Sequence, residues 1–176
     1  MPILPGSRSA PHDEAIILAL GGDLAGDYPS LEALLEAALS SLPRAGMRIV
    51  RRSGWWRSAA WPDPSQPAYL NGVAIVETGL SPVEVMAAID ALEAEFGRKR
   101  SAPNAPRTLD IDLIAYGREV REAPGLAIPH PRAAERRFVM GPLAEIAPDW
   151  THPTLGRTAA ELAAAASVGR DAEPAA

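Results

Sequence analysis

Two aspartates one residue apart, Asp110 and Asp112, are the pair in this sequence with the plainest capacity for chemistry. In a β-strand, successive side chains leave opposite faces, so these two carboxylates project side by side. Held together they repel each other unless a cation, a proton or an arginine shares the space. Hard oxygen donors with no His beside them, in a chain with no Cys, suit Mg²⁺ rather than zinc. Asp-x-Asp is nonetheless short. It also fits two solvated strand residues paired with Arg107, or the site of an unrelated sugar-nucleotide enzyme.

Cations flank the pair. Arg98, Lys99, Arg100 and Arg107 precede it with no acid among them, and Arg132, Arg136 and Arg137 follow His130. Guanidinium groups around a metal-binding carboxylate pair are what a polyphosphate requires. Either cluster alone reads equally as a solvated face. Gly21-Gly22-Asp23 is too short for a Walker-type phosphate loop, which disfavours a P-loop kinase. From the residues alone, two other readings stay open: another Mg²⁺-dependent nucleotidyl, glycosyl or phosphoryl transferase, and a non-catalytic ligand-binding module.

The elements that must hold these groups follow from periodicity. Ala15 to Leu20 is an apolar run ending at Gly21-Gly22, which predicts a buried strand entering a turn. Leu31, Leu34, Leu35, Ala38, Leu39 and Leu42 fall at helical spacing, closed by Pro43 and Gly46. Met47 to Trp56 and Leu70 to Val76 read as strands separated by a Pro-rich loop over 59–67. Ser81-Pro82 with Glu84 forms a capping box for a second helix whose stripe is Val85, Ala88, Ile89, Leu92 and Phe96, ended by Gly97. Thr108 to Tyr116 is the last strand, with Leu109, Ile111, Leu113 and Ala115 on one face.

The order βαββαβ predicts an α+β, ferredoxin-like core: a mainly antiparallel sheet with both helices on one face and the other face left for a site. Arg132 to Ile146 and Ala159 to Ala166 are expected as C-terminal helical additions. One domain over 14–166 is expected, preceded by a disordered extension over 1–13 and followed by a flexible tail over 167–176.

The chain has 176 residues, 47% of them apolar, enough for one core and too few for two ordinary domains. A net charge of −5 argues against nucleic acid or a membrane surface as the main partner. The lack of cysteine removes disulfides and thiolate metal sites and favours a reducing cytoplasm. No signal-peptide or membrane-spanning run is apparent. A monomer is expected.

One resemblance covers roughly residues 15 to 150. The run Pro106-Arg107-Thr108-Leu109-Asp110-Ile111-Asp112-Leu113, with Tyr69-Leu70-Asn71 upstream and Ile128-Pro129-His130, Arg136 and Phe138 downstream, resembles the 6-hydroxymethyl-7,8-dihydropterin pyrophosphokinases of folate biosynthesis. The resemblance implies transfer of diphosphate from ATP to the hydroxymethyl group of the reduced pterin, with release of AMP. It implies two Mg²⁺ ions held by Asp110 and Asp112, and a catalytic set that adds Arg98 and Arg107. ATP contacts would come from Glu93, Arg98, Arg100, Arg107, Leu113, His130 and Arg136, with Arg98 and Arg100 on a loop that closes over the nucleotide. The pterin slot would comprise Ser58, Ala59, Trp61, Tyr69, Asn71, Asp110 and Phe138, with Tyr69 and Phe138 stacking on the ring. Four departures from the family pattern stand out: Asp23 in the first turn, Ala59 and Trp61 by the slot, Asn104-Ala105 for an Arg-Trp pair, and Pro131 after His130.

Overall fold

The computed structural model describes residues 12–59, 63, 65, 67–97 and 109–175. The apolar run after Ala15 forms β1 (Ile16–Gly22). Helix α1 (Leu31–Ser41) starts where the Ser30 side chain accepts the Ala33 N–H at 3.1 Å, and gives way to a 3-10 turn at Pro43–Ala45. Strands β2 (Arg48–Arg52), β3 (Trp56–Ser58) and β4 (Tyr69–Glu77) follow. Helix α2 (Pro82–Glu95) carries the expected box: Ser81 accepts from Glu84 N–H while the Glu84 carboxylate accepts from Ser81 N–H. After β5 (Asp110–Tyr116) come a hairpin of β6 (Arg121–Ala123) and β7 (Leu126–Ile128), helices α3 (Arg137–Ile146) and α4 (Ala159–Ala165), and β8 (Glu173–Pro174).

The sheet is antiparallel throughout and runs β5-β1-β4-β3-β8, with β2 also paired to β4. Strand β4 is long enough to serve two partners. Its start, Tyr69–Asn71, pairs with β3, and its end, Ala74–Glu77, pairs with β2. The single strand expected over Met47 to Trp56 is therefore two. Between them Ser53 Oγ takes the place of a ladder carbonyl, accepting Val73 N–H at 2.9 Å.

Two cores lie on opposite faces of the sheet. Leu18, Leu20, Ala74, Val76, Ile111 and Leu113 pack with α1 and α2. Ile17, Val73, Ile75, Ile114 and Ala115 pack with Val139, Met140 and Leu143 of α3 and Leu162 of α4. The second face is thus not wholly left for a site, because its apolar half is covered by the C-terminal helices. A bulge between Ile17 and Leu18 of β1, opposite Ile114, also turns Ala115 to the second face, away from Ile111 and Leu113.

Adjacent tryptophans lock the layers together. Trp55 enters the first core and donates Nε1–H to Glu36 of α1 at 2.9 Å. Trp56 faces α3, where Gly141 admits its ring and Glu145 accepts its Nε1–H at 3.0 Å.

The ends of the chain differ from expectation. His12 and Asp13, assigned to a disordered extension, are tied down: Asp13 accepts Thr151 N–H at 3.2 Å. Residues 167–175, expected as a flexible tail, are held by backbone bonds. Val168 bridges Arg136, β8 pairs with β3, and Ala175 N–H donates to Trp55 O at 2.9 Å. An open edge of β3 and an uncapped start of α3 give that segment its partners.

Candidate active site

A row of paired residues crosses the sheet: Asp110 on β5 faces Gly21 on β1, Gly21 faces Asn71 on β4, and Asn71 faces Trp56 on β3. Asp112, two residues on, faces Ala19. Partners in register share a face, so Asp110, Asp112, Asn71, Tyr69 and Ser58 all project from the face that α3 covers only at its apolar end. The polar end of that face is the candidate site, and both aspartates are half-buried there.

Gly21 is what lets the row close. A Cβ at this position would lie 2.2 Å from Asn71 Oδ1 and 3.1 Å from its Cγ. The Asn71 amide therefore lies over β1, in the space between its own strand and Asp110. Its carbonyl and amino groups offer an acceptor and donors at the edge of the carboxylate pair.

His130 is brought alongside by the turn after β7. Its N–H donates to Ile114 O at 2.8 Å, which fastens the turn to the outer edge of β5. Its Nδ1 accepts Arg132 N–H at 3.2 Å, so in the neutral ring the proton sits on Nε2. Burial lowers the His130 pKa below the ordinary value. Asp112 opposes that shift, Arg136 and Arg132 reinforce it, and Asp110 opposes it more weakly. Two carboxylates of β5 and two guanidinium groups from the segment between β7 and α3 thus act on one imidazole.

Beside it lies a cleft of about 210 Å³ lined by Met86 of α2, Asp112, Leu113, Leu126, Ile128 and His130. The β6–β7 hairpin forms its outer wall. That hairpin turns on Pro124-Gly125, with Gly125 at φ 76°, a conformation other residues rarely adopt. The sequence reading missed this wall, although a Pro-Gly pair before an apolar triplet is a turn signal that could have found it.

The remaining expected residues fall as follows. Phe138, in the first turn of α3, is partly buried against the second core, with the Arg136 guanidinium 5.7 Å from its ring centre. Ser58 is buried and Ala59 is exposed at the rim, its N–H donating to Asp171 Oδ2 at 2.7 Å. Glu93 is not a surface acid: it is 4% exposed on α2, and Asp23 of the first turn is buried as well. Trp61, Arg98, Arg100 and Arg107 lie outside the described residues, as do Asn104-Ala105 and the loop expected to close over the nucleotide.

The donor set fits a magnesium ion shared with a ligand. Among the described residues no group of three His, Asp or Glu side chains forms a metal cage. Two adjacent carboxylates beside basic groups match the habit of Mg²⁺, which keeps one or two protein carboxylates and completes its shell from phosphate and water.

Residues 17–148 match the family model for 7,8-dihydro-6-hydroxymethylpterin-pyrophosphokinase (HPPK). The chain belongs to the HPPK family. Among similar HPPKs, a Synechocystis sp. 2-amino-4-hydroxy-6-hydroxymethyldihydropteridine pyrophosphokinase is 44% identical over 147 residues, covering 83% of this chain and 73% of that protein. The Pseudomonas aeruginosa enzyme of the same name is 38% identical over 152 residues, 86% of this chain and 91% of its own length. Among solved structures, wild-type Plasmodium falciparum HPPK-DHPS superposes with a TM-score of 0.67 at 13% identity, over 85% of this chain and 40% of that one. Its form with SDX-DHP gives 0.62 at 12% identity, over 85% and 43%. At that identity the likeness is one of fold, and this HPPK chain spans under half the length of those structures. Among the described residues no helix is long and apolar enough to cross a membrane.

Proposed function

We propose that this chain transfers the terminal diphosphate of ATP to the hydroxymethyl group of 6-hydroxymethyl-7,8-dihydropterin, giving the pterin diphosphate and AMP in tetrahydrofolate biosynthesis. The observation that carries the reading is the row Asp110–Gly21–Asn71, which sets a metal-binding carboxylate beside an amide able to read a pterin edge, in a chain of HPPK sequence. The order β1-α1-(β2, β3)-β4-α2-β5, in which β2 and β3 together fill one ferredoxin-like strand position beside β4, and the antiparallel pairing support a ferredoxin-like core for the domain.

Asp110 and Asp112 are the residues to hold Mg²⁺, two ions in all. When bound, the metal supplies charge neutralisation on the triphosphate and orients the β-phosphorus for in-line attack. The pterin hydroxyl oxygen forms the new bond to that phosphorus as the bond to the bridging oxygen of AMP breaks, and the hydroxyl proton passes to solvent. The cleft lined by Met86, Leu113 and Ile128 is apolar enough to take the nucleotide base. His130, neutral near pH 7, would donate Nε2–H to a phosphate oxygen, and Arg136 would pair with phosphate from the start of α3. Arg98, Arg100, Glu93 and Arg107 complete the nucleotide set in this reading. Asn71 would hydrogen-bond the pterin edge between the rings of Tyr69 and Phe138, with Ser58, Ala59 and Trp61 at the rim.

Protein incubated with Mg²⁺, ATP and the reduced hydroxymethylpterin should yield AMP in amounts that track the pterin. Asp110→Ala and Asp112→Ala should each suppress AMP by at least about a hundredfold without unfolding the chain. Formation of ADP, or AMP at the same rate without pterin, would sink the assignment.

A further inference from the structure

The segment after α4 crosses the sheet at the rim of the proposed pterin slot, and it does so by specific contacts rather than loose packing. Val168 N–H donates to Glu135 O at 3.0 Å and Val168 O accepts Arg137 N–H at 2.9 Å, which ties the segment to the start of α3. Arg137 then joins it to α4, donating from Nε to Ala172 O of the segment at 3.0 Å and from a terminal nitrogen to Ala163 O of α4 at 3.3 Å. Ala172 is buried. Strand β8 extends the sheet beyond Trp56 and Arg57 of β3.

Two points on this strap touch opposite walls of the slot. Gly169, at φ 68°, lies against the Phe138 ring so closely that a Cβ there would sit 2.6 Å from Cδ1. Asp171 Oδ2 accepts the Ala59 N–H at 2.7 Å, fixing the backbone where β3 leaves the sheet for the Pro-rich loop. One wall follows the register of α3 and the other that of β3.

We propose that Gly169 and Asp171 are positioning residues for the pterin, setting the spacing between the Phe138 wall and the Ser58–Ala59 rim. The inference rests on the pterin slot proposed above. Asp171 touches neither the carboxylate pair nor the nucleotide set, and Gly169 reaches that set only through Phe138, over whose ring the Arg136 guanidinium lies, so the strap acts chiefly on the pterin. It makes residues 167–175 part of the substrate-binding apparatus.

The test separates the two substrates. Asp171→Ala leaves the Ala59 N–H without its acceptor and should raise KM for the pterin about tenfold, with KM for ATP unchanged. Asp171→Asn keeps an acceptor oxygen at the same place and should restore the wild-type value, which loss of negative charge alone would not allow. Gly169→Ala forces the Phe138 ring to move and should raise the pterin KM more than Asp171→Ala does, with a smaller rise in KM for ATP because Arg136 lies over that ring. Urea midpoints of all three variants are measured alongside, and pterin binding is read directly from pterin fluorescence. Equal changes in both KM values, an Asn variant as poor as the Ala variant, or no change in Asp171→Ala would each overturn the inference. Wild-type protein that neither binds the pterin nor makes pterin-dependent AMP would instead overturn the functional reading, and the inference with it.

Discussion

At Gly21 a single hydrogen atom decides whether the site can form. Gly21→Ala is compatible with strand geometry, yet its methyl would overlap Asn71 Oδ1 at 2.2 Å. Asn71 must then swing away, or β1 and β4 must part. Either way the expected outcome is a rise of tenfold or more in pterin KM together with about 1–3 kcal/mol of lost stability, read from initial rates and urea denaturation. The alignment of Asp110 with Asp112 was legible because it needs only the period of a strand. The role of Gly21 was not, because it depends on a side chain from another strand. A second residue ties stability to pH. His152 is buried, its Nδ1 accepts Thr154 N–H and Leu155 N–H at 3.2 Å each, and burial, helped by Arg118, lowers its pKa below 6.5. Below that pH the unfolded chain binds a proton that the folded chain refuses, so stability falls as pH drops and levels off beneath the folded pKa. His152→Asn retains an acceptor at the Nδ1 position without a titrating ring. Urea titrations at pH 7.5 and 5.5 should show a smaller loss in this variant than in wild type, and equal losses would refute the assignment.

Between α3 and β3, close packing outweighs helix propensity. Replacing Gly141 by Ala inside α3 should favour the helix by about 1 kcal/mol. The new methyl, however, would meet the Trp56 ring at 2.6 Å, and Trp56 is tethered to the same helix by its bond to Glu145. Overpacking of this kind costs about 1–3 kcal/mol, so the variant should unfold at lower urea than wild type. A higher midpoint would show that the ring yields. Elements whose ends are written in local chemistry were read correctly from sequence: α2 begins at Ser81-Pro82 with Glu84 and ends before Gly97. Elements whose ends depend on distant partners were not. Strand β2 separates from β3 because β4 offers its edge twice, and Ala115 changes face because β1 and β5 slip by one residue. The cleft beside His130 needed the β6–β7 hairpin, whose strands of three residues are too short to show a period.

For the molecule as a whole, the two-core arrangement predicts how ligands act on stability. The carboxylate pair lies on β5 at the end of the sheet face that α3 leaves uncovered, so a nucleotide held there would bind the folded chain alone. Mg²⁺ and ATP at a hundred times their dissociation constant should add about 2.7 kcal/mol, an increase in Tm of roughly 5–10 °C for a chain of this size. Chelation with EDTA should abolish the shift, and a shift that survives would remove the metal from the nucleotide site. A mainly antiparallel sheet with two helices on one face was legible from the alternation of apolar runs. Coverage of the second face was not, because helices after Pro131 could have packed anywhere until their apolar stripes met Ile17, Val73 and Ile75. The sheet margins carry a last consequence. Strand β8 shields β3 and the turn after β7 shields β5, whereas β2 has β4 as its partner and turns its other side outward among the described residues. That margin carries Arg48, Arg51 and Arg52 and is broken by a slip at Val50. Long charged side chains, Arg48 paired with Glu77 and Arg52 with Glu36, and irregular spacing hinder a second chain from adding a strand there, so the margin least protected by the fold is protected by its own side chains.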